Sequence, residues 1–100
     1  MSKIRESARD EICAVRYPGV CTFDSTTTVL AHMKPAGAGM MGSKGSDIVG
    51  CYMCDACHAL YDMRTPLPDH LTDSERQIYA WEGMARTLLC FLERGLIKIC

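Results

Sequence analysis

The pattern of apolar and polar residues predicts two strands and a helix in the middle of the chain. Residues 26–33 are mostly β-branched or apolar and favour a strand that ends near His32. Residues 47–53 form a second strand-like stretch that leads directly into a cysteine-rich segment, where a helix is predicted over 55–64. Two prolines follow and forbid its continuation. Strand, loop, strand and helix together predict a ββα unit.

Helices are also predicted on both sides of this unit. A short one covers residues 2–11, and the longest one starts after Thr72 or Ser74 and ends at Gly95. In the short helix, Ile4, Ala8 and Ile12 fall roughly on one face. The apolar residues that recur at helical spacing in the long helix are Ile78, Trp81, Ala85, Leu88, Leu89 and Leu92. This stripe is predicted to pack across the ββα unit.

Composition places the chain among ordinary globular proteins. Its 100 residues are 48% hydrophobic and 23% charged, which predicts a single domain over residues 1–100 in a small α+β fold. It contains no apolar run of about 18 residues that would span a membrane, and its N-terminus lacks the apolar segment of a signal peptide. We therefore expect the protein in a reducing cytoplasm, where seven cysteines indicate metal binding rather than disulfides.

Four of the cysteines form two pairs that predict a structural zinc site. A turn at residues 17–19 brings Cys13 near Cys21, and Cys54 and Cys57 lie where the second strand meets the helix. This treble-clef-like layout would stabilise a domain with a small core. Cys51 could replace Cys54 as a ligand. The alternatives are an iron–sulfur cluster, a redox-active cysteine pair, or ordinary buried cysteines.

A second candidate site lies one helical turn further along the chain. His58 and Asp62 are four residues apart, so both face the same side of the predicted helix and could hold a harder cation. A histidine at the end of a strand, such as His32, is otherwise a common half-buried side chain, and His70 is predicted at the surface.

Charge gives no overall attraction to nucleic acid, because the net charge is −1. Any phosphate-binding face must therefore be local, and Lys34, Lys44 and Arg64 are its candidate members. The alternative is that these side chains are simply solvated. Residues 34–45, with one proline and four glycines, are predicted to form a flexible loop.

Several motifs resemble known nucleases. Leu30–His32, the glycine-rich loop, the second strand and Cys54-x-x-Cys57-His58-x-x-x-Asp62 resemble the ββα-metal motif of HNH endonucleases with its structural zinc. More closely, segments over nearly the whole chain resemble the YbcO-type nucleases of lambda-like phages and prophages. These segments are Lys3–Arg9, Cys13–Cys21, Val29–His32, Ala56–His58 and Glu82–Thr87.

This resemblance implies metal-dependent hydrolysis of phosphodiester bonds. His32 would be the general base, and His58 with Asp62 or Asp47 would hold Mg²⁺ or Mn²⁺. The chain departs from the HNH pattern because it contains no asparagine, and Asp47 is the nearest residue that could orient the base instead. Ala31 stands where an acidic ligand often precedes the base.

The function that we expect from the resemblance is a DNA endonuclease of phage or prophage origin. It would act in DNA recombination or processing in the bacterial cytoplasm, with phage recombination proteins as candidate partners. The alternative is a non-catalytic zinc module that binds DNA or a phage recombination or replication partner. A third interpretation is a structural zinc protein that joins a partner through its C-terminal helix.

Overall fold

The computed structural model describes residues 3–33 and 47–98, apart from the side chain of Asp47. Within these residues, three α-helices and one two-stranded sheet form a small α+β fold. The elements are α1 Lys3–Glu6, β1 Val29–His32, β2 Gly50–Met53, α2 Asp55–Tyr61 and α3 Asp73–Glu93. The predicted order of strand, strand and helix between flanking helices is confirmed.

The two strands pair as an antiparallel hairpin. Val29 lies opposite Met53, and His32 lies opposite Gly50. All four residues of β2 are buried, because both α2 and α3 pack against this strand. The hairpin therefore places His32 at one end of the sheet and the start of α2 at the other.

Both strands are shorter than the predicted ranges 26–33 and 47–53. A single turn of 3₁₀-helix precedes each strand and takes up its first residues. The first of these turns is capped by Asp24, whose carboxylate accepts a hydrogen bond from the Thr26 backbone N–H at 3.0 Å. The predicted flexible loop at 34–45 lies outside the described residues.

α2 ends at Tyr61, three residues before the predicted end. Met63 adopts a left-handed φ of +62°, which the helix cannot continue through. The Met63 N–H donates to the Leu60 carbonyl at 3.0 Å, and the Arg64 N–H donates to the Ala59 carbonyl at 2.8 Å. These two hydrogen bonds form a Schellman motif that satisfies the last carbonyls of the helix.

The predicted ends of α3 are confirmed by its capping hydrogen bonds. The Thr72 hydroxyl accepts from the Glu75 N–H at 3.1 Å, and the Glu75 carboxylate accepts from the Thr72 N–H at 2.9 Å. At the other end, Gly95 takes a φ of +69° and Leu96 N–H donates to the Phe91 carbonyl at 2.9 Å. No helix in the described part of the chain is long and apolar enough to cross a membrane.

The predicted packing face of α3 is wrong for most of its residues, although Leu88 is half-buried against the core. Ile78, Trp81 and Leu89 are 57%, 40% and 59% exposed, and Ala85 is exposed as well. The face that α3 buries is smaller and more polar, and consists of Arg76, Ala80, Gly83, Thr87 and Phe91. Hydrophobic periodicity could not identify this face, because most of its residues are not large apolar ones.

A close approach of α3 to β2 explains this choice of face. A Cβ atom at Gly83 would lie 2.7 Å from the Cys51 sulfur and 2.9 Å from the Val15 Cα. One turn further, the Thr87 hydroxyl donates to the Gly83 carbonyl at 2.8 Å and accepts from the Tyr52 N–H at 3.1 Å. Thr87 therefore satisfies the backbone N–H of Tyr52 in β2, which an apolar side chain at this position would leave unpaired.

The N-terminal helix is shorter than the predicted range 2–11. α1 ends at Glu6, the following residues form turns, and Asp10 takes a left-handed φ of +62°. Ala8 is buried at 2% exposure, but Ile12, which was predicted on the same face, is 62% exposed. The turns change the direction of the chain before Ile12, so helical spacing no longer relates the two residues.

The close approach at Gly83 leads to a prediction about stability. Gly83→Ala should destabilise the protein by about 2 kcal/mol, because overpacking against Val15 and Cys51 outweighs the gain of about 1 kcal/mol in helix propensity. Urea denaturation would measure the change, with Glu82→Ala on the exposed face as control, where we expect a change within about 0.5 kcal/mol. A Gly83→Ala protein more stable than wild type would contradict the packing described here.

Candidate metal centre

Four cysteine side chains meet between the N-terminal loop and the start of α2. The sulfur atoms of Cys13, Cys21, Cys54 and Cys57 all lie within 4.8 Å of one another. Three of these side chains are buried, and Cys21 is half-buried. The sequence predicted this grouping.

The spacing of the sulfurs suits a single tetrahedral ion. Cys21 Sγ and Cys54 Sγ lie 3.8 Å apart. Four thiolates around zinc, with bonds of about 2.3 Å, are about 3.8 Å apart. The thiolate ligands of a cluster of several irons are more widely separated, so the geometry favours one ion over an iron–sulfur cluster. The residues present therefore fit a zinc ion.

The first pair of cysteines is positioned by a tight turn. Gly19 takes a φ of +70°, and the Cys21 N–H donates to the Tyr17 carbonyl at 3.0 Å. The Tyr17 hydroxyl in turn donates to the Arg76 carbonyl of α3 at 2.8 Å. The cysteine loop is therefore held against the long helix as well as against its own turn.

The second pair is positioned by the entry into α2. Cys54 is the N-cap residue of this helix, and Cys57 lies in its first turn. The Asp55 N–H donates to the Thr27 hydroxyl at 3.2 Å, and that hydroxyl donates to the Asp24 carbonyl at 2.9 Å. Thr27 thus ties the start of α2 to the segment that precedes β1.

The pKa values of the clustered thiols are shifted because the thiols lie close together and are partly or fully buried. Cys57 donates a hydrogen bond to Cys13, which lowers the pKa of Cys13 to about 5 and raises that of Cys57. Burial raises the pKa of Cys21 to about 11. Four thiolates in so small a volume would repel one another strongly, so a cation is needed for all four to be ionised together.

Cys51 does not belong to the cluster. Its side chain is fully buried against Gly83, and burial raises its pKa to about 12. Of the two alternatives that the sequence left open, the structure therefore places Cys54 with the other three sulfurs. Cys90 is half-buried and outside the cluster, and Cys100 lies beyond the described residues.

The second candidate site is the pair His58 and Asp62 on α2. His58 Nε2 lies 3.1 Å from Asp62 Oδ2, and the two side chains are 29% and 22% exposed. An Arg64 guanidinium nitrogen lies 3.7 Å from the same carboxylate oxygen. The helical spacing therefore brings an imidazole and a carboxylate into contact, with a positive charge beside them.

Of the remaining predicted site residues, some lie within the described part of the chain and others lie outside it. His32 ends β1 and is half-buried, and Ala31 before it is buried at 2% exposure. The backbone of Asp47 lies in the turn before β2, but its side chain is outside the described part, as are Lys34 and Lys44. Among the described side chains, the four cysteines are the only group of three or more candidate ligands. The roles of His32, Asp47, His58 and Asp62 stay predictions.

Two positioning residues were missed by sequence reasoning. Thr27 caps the start of α2 as described above. His70 is exposed, as predicted, but its Nε2 lies 2.6 Å from the Pro18 carbonyl oxygen and its ring faces Gly19. Neither contact has a sequence signal, because each joins segments that only the fold brings together.

The chain is similar to known proteins over nearly its whole length. A family profile described as "Putative nuclease YbcO" matches residues 2–96. The chain is 41% identical over 98 residues to "Putative nuclease YbcO" of Escherichia coli (strain K12), covering 98% of this chain and 99% of that one. "Putative nuclease ybcO" of Enterobacteria phage 82 gives the same identity and coverage.

A solved structure has the same overall arrangement. It is described as a putative bacteriophage protein from Escherichia coli str. K-12 substr. MG1655, and it superposes with a TM-score of 0.77 at 36% identity. The match covers 93% of this chain and 100% of that one. On the family match and the whole-length identity, the chain belongs to the YbcO family of phage-associated proteins, whose members carry the description "putative nuclease".

Proposed function

We propose that the protein is a metal-dependent endonuclease that hydrolyses phosphodiester bonds of DNA. It would act in phage or prophage DNA recombination or processing, in the cytoplasm of a bacterial host. The observation that carries the proposal is the contact of His58 with Asp62, which directs one nitrogen and one oxygen ligand to the same place. The description of the relatives as nucleases supports the class of reaction.

The four clustered cysteines hold a structural zinc ion in this proposal. The ion would join the loop that contains Cys13 and Cys21 to the start of α2, in an HNH-like, treble-clef arrangement. Zinc with four thiolate ligands has no open position, so it would fix the fold and take no part in the chemistry.

The pair on α2 binds the catalytic cation. The distance of 3.1 Å between His58 Nε2 and Asp62 Oδ2 is close to the roughly 3.0 Å between neighbouring ligands of an octahedral ion with bonds of about 2.1 Å. Bound Mg²⁺ or Mn²⁺ would stabilise the negative charge that develops on the phosphate and the leaving oxygen. His58 and Asp62 hold that ion at the surface, where a large substrate can reach it.

His32 acts as the general base and removes a proton from the attacking water. In this proposal the Asp47 carboxylate would accept a hydrogen bond from the other imidazole nitrogen and so orient the ring, in place of the absent asparagine. The register supports this pairing, because His32 lies opposite Gly50 and the turn Asp47–Val49 leads directly into that residue.

Positively charged side chains bind the substrate phosphates. Arg64 is well placed, because its guanidinium lies 3.7 Å from the Asp62 carboxylate and its side chain is 59% exposed. Lys34 and Lys44 are assigned the same role from the sequence.

A second candidate function is a zinc module that binds DNA without cutting it. Two features favour it: the chain has no asparagine to orient His32, and buried Ala31 supplies no acidic ligand before the base. Such a module would bind DNA through the same positive side chains but would show no cleavage.

The zinc site gives the first test of this proposal. We expect about one zinc ion per chain in the purified protein, and its loss with unfolding in Cys54→Ala, because three thiolates leave the site incomplete. Cys51→Ala is the matched control and should keep its zinc, since Cys51 lies outside the cluster. Metal analysis and circular dichroism would measure both effects, and full zinc in Cys54→Ala would refute the assignment.

The catalytic role of His32 is tested by cleavage of single-stranded, duplex and branched DNA with Mg²⁺ or Mn²⁺. His32→Ala should slow cutting by about 10²- to 10⁴-fold, the usual contribution of a general base. Glu82→Ala removes an exposed side chain of α3 outside the proposed sites and should cut like wild type. Zinc content is checked in each variant, so that a folding defect is not mistaken for lost chemistry. If wild type binds zinc and DNA but cuts no substrate, the module interpretation is correct.

The role of Asp62 predicts a change in metal dependence. Asp62→Asn keeps the size of the side chain but removes its charge, so the Mg²⁺ concentration for half-maximal cutting should rise about tenfold or more. Asp69→Asn is a matched control, because Asp69 is an exposed carboxylate in the loop that precedes α3. It should leave the Mg²⁺ requirement unchanged. An unchanged Mg²⁺ requirement in Asp62→Asn would show that this carboxylate does not bind the cation.

A further inference from the structure

α3 has a second apolar face, on the side of the helix away from the sheet. Ile78, Trp81 and Leu89 are three of the eight large apolar side chains that are exposed in the described part of the chain. Together with exposed Ala85 they fall within an arc of about 80° on a helix that turns about 100° per residue. We call these four residues the α3 stripe. It extends for about 16 Å along the helix axis.

The α3 stripe and the packed face of the same helix lie on opposite sides. Gly83 and Thr87, which contact β2, mark the packed face. The apolar spacing along α3 therefore describes a face that the fold leaves in water, while a smaller and more polar face is buried. A contiguous exposed apolar patch of this kind is typical of a surface that another protein covers.

Two opposite charges border the α3 stripe on one side. Glu82 and Arg86 are both exposed and lie about one helical turn apart. One Arg86 guanidinium nitrogen donates to the Ala14 carbonyl at 2.7 Å, which holds this side chain beside the helix. A guanidinium group has further N–H donors for a carboxylate. A negative charge followed one turn later by a positive charge is complementary to the same segment running in the opposite direction.

We propose that the α3 stripe binds the α3 stripe of a second copy of this chain, with the two helices antiparallel. A two-fold axis at the level of Met84 places Glu82 of each copy opposite Arg86 of the other, because both residues are equally far from that axis. Parallel helices would instead bring the two Glu82 carboxylates together, and likewise the two Arg86 side chains. The charges therefore favour a second copy in the antiparallel orientation.

The same axis also pairs the apolar side chains by size. Trp81 lies level with Ala85 of the second copy to within about 3 Å along the helix axis. Ile78 lies level with Leu89 of the second copy to within about 2 Å. The largest side chain of the stripe therefore meets the smallest, which allows the two helices to pack closely.

One unfavourable contact and the small size of the surface limit the affinity. Glu75 lies opposite Glu93 of the second copy, and because both are exposed, solvent screens their repulsion. One helix from each copy buries less than about 1,200 Å² in total, so we expect a weak dimer that dissociates in the micromolar range. At sub-micromolar concentrations the chain would be monomeric, and Glu82→Ala remains a suitable control there for cleavage and unfolding.

Two measurements on the full chain test the dimer. Sedimentation equilibrium at protein concentrations from about 1 µM to about 500 µM should show a reversible monomer–dimer equilibrium. Trp81 is the only tryptophan of the chain. Its fluorescence emission should therefore shift to shorter wavelength over the same concentration range, because the indole leaves water when the dimer forms.

Ala85→Glu tests whether the α3 stripe is the interface. It places two like charges beside the two-fold axis, so the dissociation constant should rise at least about tenfold. The urea midpoint at low protein concentration should change little, because position 85 is exposed. Lys98→Gln is the matched control, since it changes the net charge by the same amount at an exposed position outside α3 and should leave the dimer intact.

Charge reversal tests the antiparallel register. Glu82→Arg should weaken the dimer about threefold or more, and adding Arg86→Glu to the same chain should restore it. Glu93→Lys should strengthen the dimer, because it replaces the like pair with Glu75 by an opposite pair. The urea midpoint of each variant is measured, since Arg86→Glu also loses the contact with Ala14. Glu93→Lys keeps the test decisive if the double variant does not fold.

The other outcomes would each overturn a stated part of the proposal. A wild type that stays monomeric with an unchanged tryptophan spectrum would exclude a second copy as the occupant of the α3 stripe. A dimer that survives Ala85→Glu would overturn the assignment of this face. If Ala85→Glu abolishes the dimer but neither Glu82→Arg nor Glu93→Lys alters its affinity, the face is supported and the antiparallel register is overturned. None of these outcomes depends on whether the protein cuts DNA.

Discussion

The convergence of four cysteine sulfurs within 4.8 Å is the constraint on which the rest of the structure depends. A hairpin with strands of four residues has little stability by itself, and a seven-residue helix such as α2 is too short to persist alone in water. The cluster joins these two elements to the loop of residues 13–21. Since four thiolates so close together, three of them buried, would repel one another without a cation, folding and metal binding would be coupled in this protein.

A second constraint is the distance between α3 and β2, which is set by small and polar residues. Gly83 allows the helix backbone to approach Val15 and Cys51, and Thr87 then satisfies the Tyr52 N–H. The sequence predicted where α3 begins and ends, because caps are local signals. It could not predict which face is buried, because close approach depends on the partner surface. Ile78, Trp81 and Leu89 of α3 are consequently left at the surface.

The candidate sites also contain some features that local sequence signals predict and others that depend on the fold. The grouping of the four cysteines and the contact of His58 with Asp62 follow from turn and helix spacing, so the sequence was sufficient to predict them. The contacts of Thr27 and His70 join segments that are distant in sequence, and residue type gives no signal for them. The proposed pairing of His32 with Asp47 is supported by the sequence and by the register of the hairpin.

The proposed sites are connected through α2 and β1, the elements that carry their residues. Cys57 and His58 are adjacent on α2, so the sulfur cluster and the cation pair share this short helix. Thr27 fixes the start of the same helix through the Asp55 N–H, and β1 begins two residues after Thr27 and continues to His32. The sulfur cluster, the cation pair and the proposed base are therefore connected through one short helix and one short strand. Because neither element is stable alone, the contacts that join them are what keep the parts of the proposed site in place.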